Sequence, residues 1–332
     1  MFFSILTPCY NSAPFIGETI NSLLSQNFDD WELLLINDGS KDNTLEVLNT
    51  LAKKDARIKV IDQVNSGVSV SRNNGIVQAA GQWIVFLDHD DAFMPNALQD
   101  LKNLIDNTPK AQCFIFPYYG KKEDNQIEEC IDKVFCNFGN QTFTGTKAFE
   151  LLYSQKEYRG QHWQPWRLVF RKENPPIFTP NVIHEDLDAV PFYIASLPAV
   201  CIAAKPFYCY TLDAPTAVTR SFSPKRVKDI CNVTEKLYLQ MEEIVAGKSN
   251  LTLSKEVLEG FKSAIAFNLY GYFFAVASFD EVERNQALEL FEKRKEWLLA
   301  IDKPFFQAKV KRFLLHLLGV KKTSFLLHLL RK

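Results

Sequence analysis

Trp83-Ile84-Val85-Phe86-Leu87-Asp88-His89-Asp90-Asp91 changes character at a single point, from an unbroken apolar run to a cluster of acids. A short apolar run bounded in this way reads as a buried strand over residues 84–87 that delivers its polar successors just past its C-terminal end. The same pattern repeats upstream. Residues 3–7 read as a buried strand, and a helix follows with Pro14 near its start and Ile16, Ile20, Leu23 and Leu24 on one face. Residues 33–36 form the next strand, closed by Asn37-Asp38-Gly39-Ser40. A helix through Leu45, Leu48 and Leu51, a strand at 58–61 and a helix from about Ser69 complete the series. Strands alternating with helices over the first 115 residues predict an α/β fold with a mostly parallel sheet. The polar loops then fall at the strand ends, where open sheets of this kind bind ligands.

Beyond this region the pattern shifts. Residues 116–225 are irregular and aromatic, with short strands expected, and 226–302 read as a helical extension. Residues 303–332 carry eight Lys or Arg and no acid, and repeat Phe-Leu-Leu-His-Leu-Leu from Phe313 and again from Phe325. Two short amphipathic helices broken near Gly319 fit that tail. The apolar fraction of 47% is enough for a full core, and the net charge of -1 lacks the basic excess of a nucleic-acid binder. Seven scattered cysteines without a Cys-x-x-Cys spacing fit a reducing compartment better than a disulfide framework or a zinc site. The N-terminus lacks the basic region of a signal peptide, and no apolar run reaches the roughly 18 residues of a spanning helix. A cytoplasmic protein is the expectation.

Carboxylates spaced as Asp88-x-Asp90 past a strand end are hard oxygen ligands, suited to Mn²⁺ or Mg²⁺ bridging a diphosphate; a solvated acidic turn is the plain alternative. Asp38 could bind the imide or ribose edge of a nucleotide, or Ser40 and Asp42 could simply cap the next helix. Arg72, in Ser71-Arg72-Asn73-Asn74-Gly75, could reach phosphate oxygens or stand on the surface. Glu185-Asp186 offers a carboxylate to take a proton from an attacking hydroxyl; as an acidic first turn of a helix it would be unremarkable. Trp163 and Trp166 could stack on an acceptor sugar, although buried core positions are the commoner fate of tryptophan.

Ser4-Ile5-Leu6-Thr7-Pro8-Cys9-Tyr10-Asn11, Asn37-Asp38-Gly39-Ser40-Lys41-Asp42, Ser71-Arg72-Asn73-Asn74-Gly75, Asp88-His89-Asp90-Asp91 and Glu185-Asp186 occur in an order that resembles family 2 glycosyltransferases, the inverting enzymes of GT-A fold, here of the bacterial surface-polysaccharide or lipooligosaccharide type. Trp166-Arg167-Leu168-Val169-Phe170-Arg171-Lys172 is similar to that family's segment ahead of the acidic pair. The resemblance covers residues 3–225. It implies a GT-A, Rossmann-like catalytic domain over 1–225, with a nucleotide-sugar half at 1–115 and an acceptor half at 116–225. It also implies that Thr7, Pro8 and Tyr10 line the base, with Asp38 holding it, that Arg72 lies along the nucleotide pocket, and that Asp88 sits near the ribose. Asp90 would hold the metal, Mn²⁺ or Mg²⁺. Asp186 would be the general base, with Glu185 its neighbour or a partner that positions the acceptor. His89 departs from the small residue usual there and takes no role. Residues 216–220 fall where the family often has a mobile Ser/Thr-rich loop, with a poor match.

These readings converge on a transferase that moves one sugar from a nucleotide-sugar, UDP by the family's habit, to a hydroxyl of a glycan or lipid-linked acceptor. A processive synthase is disfavoured, because Gln164-Pro165-Trp166-Arg167 lacks the Gln-x-x-Arg-Trp order. A nucleotidyltransferase would want a Gly-rich basic loop after the first strand, which Pro8-Cys9-Tyr10-Asn11-Ser12 is not. A catalytically inactive nucleotide-sugar-binding scaffold is the non-enzymatic alternative. The tail at 303–332 predicts peripheral attachment to an anionic membrane on its inner face; packing on the protein itself or a homodimer contact is the competing use of the same stripe.

Overall fold

The computed structural model describes residues 1–122, 126–131, 133–154, 162–212, 222–300 and 306–329. The chain divides into two compact units, one formed by 1–145 with 163–216 and the other by 146–162 with 217–332. Of the described residues, 146–154 and 162 thus group with the C-terminal helices, although the sequence pattern carries no boundary there.

In the first unit, β1 (Phe3–Cys9), α1 (Ile16–Leu24), β2 (Trp31–Asp38), α2 (Thr44–Ala52), β3 (Ile58–Gln63), α3 (Val68–Gln78) and β4 (Trp83–Phe86) follow one another as the alternating pattern predicts. After them come β5 (Ala92–Phe93), α4 (Ala97–Asn107), β6 (Cys113–Ile115), β7 (Tyr118–Lys121), β8 (Ile127–Ile131) and β9 (Gln141–Phe143). The short helix α5 (Gly145–Tyr153) leads into the other unit, and the chain returns through β10 (Leu168–Arg171), α6 (Glu185–Ser196), β11 (Val200–Ile202) and β12 (Tyr208–Thr211).

The main sheet runs β3-β2-β1-β4-β10-β6-β11-β9. Strands β3, β2, β1 and β4 are mutually parallel, as are β6 and β11, while β10 runs antiparallel between β4 and β6 and β9 antiparallel at the edge. All of β1 and β2 is buried, as strands covered on both faces require. Glu32 is fully buried in β2, and burial alone would raise its pKa. Lys59 and Ser4, together with the Ala80 N–H, engage both carboxylate oxygens and hold that pKa below the usual range. A second sheet, β5-β12-β7-β8, stands beside the chain leaving β4. The mixed, mostly parallel architecture agrees with the α/β expectation and places the ends of β1, β2 and β4 side by side.

The second unit adds α7 (Pro224–Val245), α8 (Lys255–Ala275), α9 (Glu281–Glu292), α10 (Lys295–Leu299) and α11 (Phe306–Leu329). Ser223, Ser254 and Asp280 each cap a helix by accepting the N–H three residues on. The helix α11 is interrupted at Gly319, whose φ of 74° and ψ of 177° leave the helical region, so the expected break near Gly319 is present. Leu315 and Val320 are fully buried, and α11 packs on α8, α9 and α10. Part of the tail's apolar stripe is therefore used within its own unit.

Candidate active site

Two βα loops are stitched together before any ligand arrives. Asn11 adopts a positive φ of 51° after β1; its N–H donates to Ser40 Oγ at 3.1 Å, and its side-chain oxygen accepts the Lys41 N–H at 2.8 Å. Thr44 Oγ1 accepts the N–H groups of Ser12 and Ala13. Asp42 accepts both the N–H and the hydroxyl of Thr44, the first residue of α2, while Asn43 at the N-cap position makes no side-chain cap bond. Thr7 and Pro8 are buried within this wall, and the Thr7 hydroxyl has no hydrogen-bond partner among the described residues; Tyr10, 41% exposed, is the residue of the three that faces solvent.

Asp38, the last residue of β2, is buried. Its Oδ1 accepts from Gln63 Nε2 and the Ser66 N–H, and its Oδ2 from the Gly67 N–H, all at 2.8 Å. A carboxylate has about four acceptor positions, so these bonds leave little of it free. The carboxylate shapes the loop before α3 whether or not it also meets a base.

Arg72 projects from α3 and is only 5% exposed. Its Nη1 donates to Glu185 Oε1 at 2.5 Å, its Nη2 stands 3.7 Å from Asp88 Oδ1, and its guanidinium lies 5.5 Å and 5.4 Å from the rings of Phe86 and Phe178. Burial works against its charge, but Glu185, Asp88 and Asp186 together hold its pKa above the ordinary value. One amino group of the guanidinium is bonded to Glu185 and the other faces Asp88, while Nε has no hydrogen-bond partner among the described residues. This pairing also accounts for Glu185: that side chain grips Arg72, a role sequence reasoning did not assign.

Asp186 follows Glu185 in the first turn of α6, directly after His184, which is held at a φ of 96°. Burial and the neighbouring Glu185 push its carboxyl up to about 7, against the Leu187 N–H, which donates to it at 2.7 Å, and Arg72. A general base works best with a pKa near the operating pH. Asp88 is also raised, by burial first and by Asp90. Asp91 is raised well above the ordinary range by burial and by its acidic neighbours, although Tyr208 and the Thr211 N–H donate to it. The Asp90 carboxylate is half-buried and makes no hydrogen bond or ion pair to the described residues. The His89 imidazole makes no hydrogen bond among them but lies near enough to Asp88 to favour its charged form, while the His89 carbonyl accepts from Thr19 Oγ1.

Trp163 and Trp166 are 4% and 5% exposed, which withdraws them as open stacking platforms. Trp166 instead lies nearly parallel to Tyr208 and Tyr210, with ring centroids 4.7 and 5.2 Å away. Arg167, in the aromatic-basic segment, is buried and donates to the Phe116 carbonyl. The weakly matched 216–220 segment lies outside the described residues. Among those residues, no group of three or more His, Cys, Asp or Glu could hold a metal ion.

Over residues 4–172, just over half of its length, the sequence matches glycosyl transferase family 2. The chain belongs to that family. It is 36% identical over 178 residues to glycosyltransferase EpsJ of Bacillus subtilis, covering 51% of this chain and 48% of that one, so it spans about half of that relative. A Haemophilus influenzae glycosyltransferase is 37% identical over 185 residues, covering 55% of this chain and 68% of its own. Among solved structures, Staphylococcus aureus TarS 1–349 in complex with UDP-GlcNAc superposes with a TM-score of 0.65 at 17% identity, over 98% of this chain and 90% of that one. The mannosyltransferase PcManGT of Pyrobaculum calidifontis, in complex with GDP-Man and Mn²⁺, gives 0.52 at 14% identity, over 99% and 87%. At such identities the likeness is one of fold, and the fold is GT-A. A family 2 glycosyltransferase is accordingly an enzyme that transfers sugar.

Proposed function

We propose that this chain is an inverting, metal-dependent transferase that moves one sugar from a nucleoside-diphosphate sugar, UDP first, to a hydroxyl of a glycan or lipid-linked acceptor in surface-polysaccharide assembly. The observation that carries the reading is the division of labour among the acids: among the described residues Asp90 keeps a carboxylate without a hydrogen-bond partner beside Asp88, while Asp186, across Arg72, is poised as a base near pH 7. The donor set fits a cation that takes one or two protein carboxylates and completes its shell with phosphate oxygens and water, which is how Mg²⁺ and Mn²⁺ are usually held beside diphosphates. Asp90, with Asp88 beside it, would hold it. Such an ion supplies charge stabilisation for the departing diphosphate.

The chain's own residues do the rest. The stitched loops after β1 and β2 and the Asp38-clamped turn before α3 offer a wall for the nucleotide, with Tyr10 at its exposed edge. Asp186 takes the proton of the acceptor hydroxyl as that oxygen attacks the anomeric carbon on the face opposite the diphosphate, and a single displacement inverts the centre. Arg72 ties Glu185, the neighbour of Asp186, to Asp88. The ligands named in the TarS and PcManGT structures, UDP-GlcNAc and GDP-Man, support a nucleotide-sugar donor. Among the described residues no helix is long and apolar enough to cross a membrane, and the basic tail supports peripheral attachment on the inner face.

The test is a screen of nucleotide sugars with Mn²⁺ by thermal shift, since a ligand that binds only the folded state raises its stability. The turnover of Asp90→Ala is then followed. Asp90→Ala should abolish turnover and weaken donor binding, as should chelation; full activity in excess chelator would sink the metal assignment.

A further inference from the structure

The turn at residues 88–91 is held from three sides. The Leu87 N–H donates to the Leu6 carbonyl in β1, the His89 carbonyl accepts from Thr19 in α1, and the Asp91 N–H closes on the Asp88 carbonyl. The tightest grip comes from β12. Tyr208 spans the turn with one hydroxyl, which accepts the Asp88 N–H at 3.0 Å and donates to Asp91 Oδ2 at 2.8 Å. Thr211 holds its other side, with its N–H on Asp91 Oδ1 at 2.7 Å and its hydroxyl on the Asp90 carbonyl at 2.5 Å. The peptide on both sides of Asp90 is therefore fixed, while the Asp90 carboxylate itself is left without a partner among the described residues. The Tyr208 ring is in turn clamped by Trp166, stacked at 4.7 Å, and by the β5–β12 pairing, in which Tyr208 lies opposite Phe93.

We propose that Tyr208, Thr211 and Asp91 are positioning residues that aim the Asp90 carboxylate at a divalent cation shared with the donor diphosphate. The inference rests on the metal reading above and adds to it the parts that touch neither metal nor sugar. A carboxylate on a loose turn must be ordered each time a cation binds, and that cost weakens binding; a turn braced beforehand avoids it. Asp91 is a fully buried acid whose two oxygens are taken by two donors on one strand, so it is a strut and not a ligand. Partners that orient the groups around a metal typically contribute 10–100-fold to its affinity or to activity.

The experiment uses the full chain and the variants Tyr208→Phe, Thr211→Val and Asp91→Asn, with Tyr153→Phe as a control that removes a buried hydroxyl in the other unit. Two quantities are read: the Mn²⁺ concentration for half-maximal turnover, and Mn²⁺ binding in the presence of UDP from the loss of the free-ion EPR signal. Tyr208→Phe keeps the ring and the Trp166 stack but loses both ends of its bridge. Both constants should rise about 10–100-fold. Turnover at saturating Mn²⁺ should stay within a few-fold of wild type, and Tyr153→Phe should move neither constant. Asp91→Asn sets an amide N–H₂ against one of two donors and should shift both constants further; should it fail to fold, Tyr208→Phe and Thr211→Val carry the test. A merely structural role would lower the melting temperature and leave both constants unchanged, and that result overturns the proposal. The two readings fail separately. Wild-type turnover and nucleotide binding indifferent to Mn²⁺ would remove the metal and this role together, whereas a metal-dependent wild type with an unshifted Tyr208→Phe removes the positioning role alone.

Discussion

A carboxylate in the first turn of a helix is ordinarily ionised, because the helix dipole and the free N–H groups there favour negative charge. Asp186 departs from this, since burial and Glu185 outweigh the Leu187 N–H and Arg72. Its folded-state pKa of about 7 lies above the ordinary carboxylate value, so the folded state binds its proton more tightly than the unfolded chain does. The contribution of this group to stability is then fully present at acid pH and is lost as pH rises through about 7. Asp186→Asn removes that titration. In metal-free buffer the variant should gain melting temperature on wild type as pH rises from roughly 4 to 7 and hold that gain above it, while turnover with donor and acceptor falls by about 10²–10⁴. Equal pH profiles of stability would show that Asp186 does not carry the shifted proton, and wild-type turnover would show that it does not act as base. At this scale Asp38, Asp88, Asp90 and Asp186 could be singled out in the sequence because each ends a strand, follows one or opens a helix. Tyr208 and Thr211 were not. They lie some 120 positions from the turn they hold, and a single tyrosine or threonine on a short strand carries no pattern. The partner of Arg72 was hidden for the same reason, since Glu185 is 113 residues away.

Elements were readable where one period ruled. The first four strands and three helices fall within a few residues of their predicted places, because a strand buried on both faces shows as a solid apolar run and an amphipathic helix as a 3.6-residue stripe. The insertion of β10 antiparallel between β4 and β6 was not readable, because strand order depends on pairing between distant segments and not on local periodicity. Gly39 shows how one turn serves the site. It has a φ of 63°, and a Cβ there would come within 2.6 Å of the Asn65 N atom. Asn65 Nδ2 donates to the Asp38 carbonyl in the same loop. Gly39→Ala combines left-handed strain with a backbone clash and should cost about 1–3 kcal/mol, visible as a lower denaturant midpoint. Because the displaced loop is the one Asp38 clamps, donor KM should also rise. A variant with unchanged midpoint and KM would show that this turn tolerates a side chain and does not shape the donor wall.

Across the whole molecule, the charge of the last thirty residues is the feature that neither core packing nor the catalytic groups explain. Packing of α11 on α8, α9 and α10 buries Leu315 and Val320, yet Leu317 is 65% exposed and Lys321 and Lys322 are exposed beside it. The segment carries eight basic residues and no acid of its own, and an anionic surface would attract that charge. Each basic residue near an anionic bilayer is worth about 1 kcal/mol, so even half of the eight in this segment would give reversible attachment. Deleting the tail is a poor test, because it would also strip Leu315 and Val320 from the helices they cover. Reversing Lys321 and Lys322 to glutamate leaves those contacts in place. The full chain should sediment with anionic vesicles and dissociate as added salt contracts the Debye length to about 3 Å near 1 M. The doubly reversed variant should lose most of that binding while keeping its melting temperature and its turnover on a water-soluble acceptor. Binding to neutral vesicles as strong as to anionic ones, or a wild-type chain indifferent to both, would end the electrostatic account of the tail and leave its lysines as a solvated face of α11.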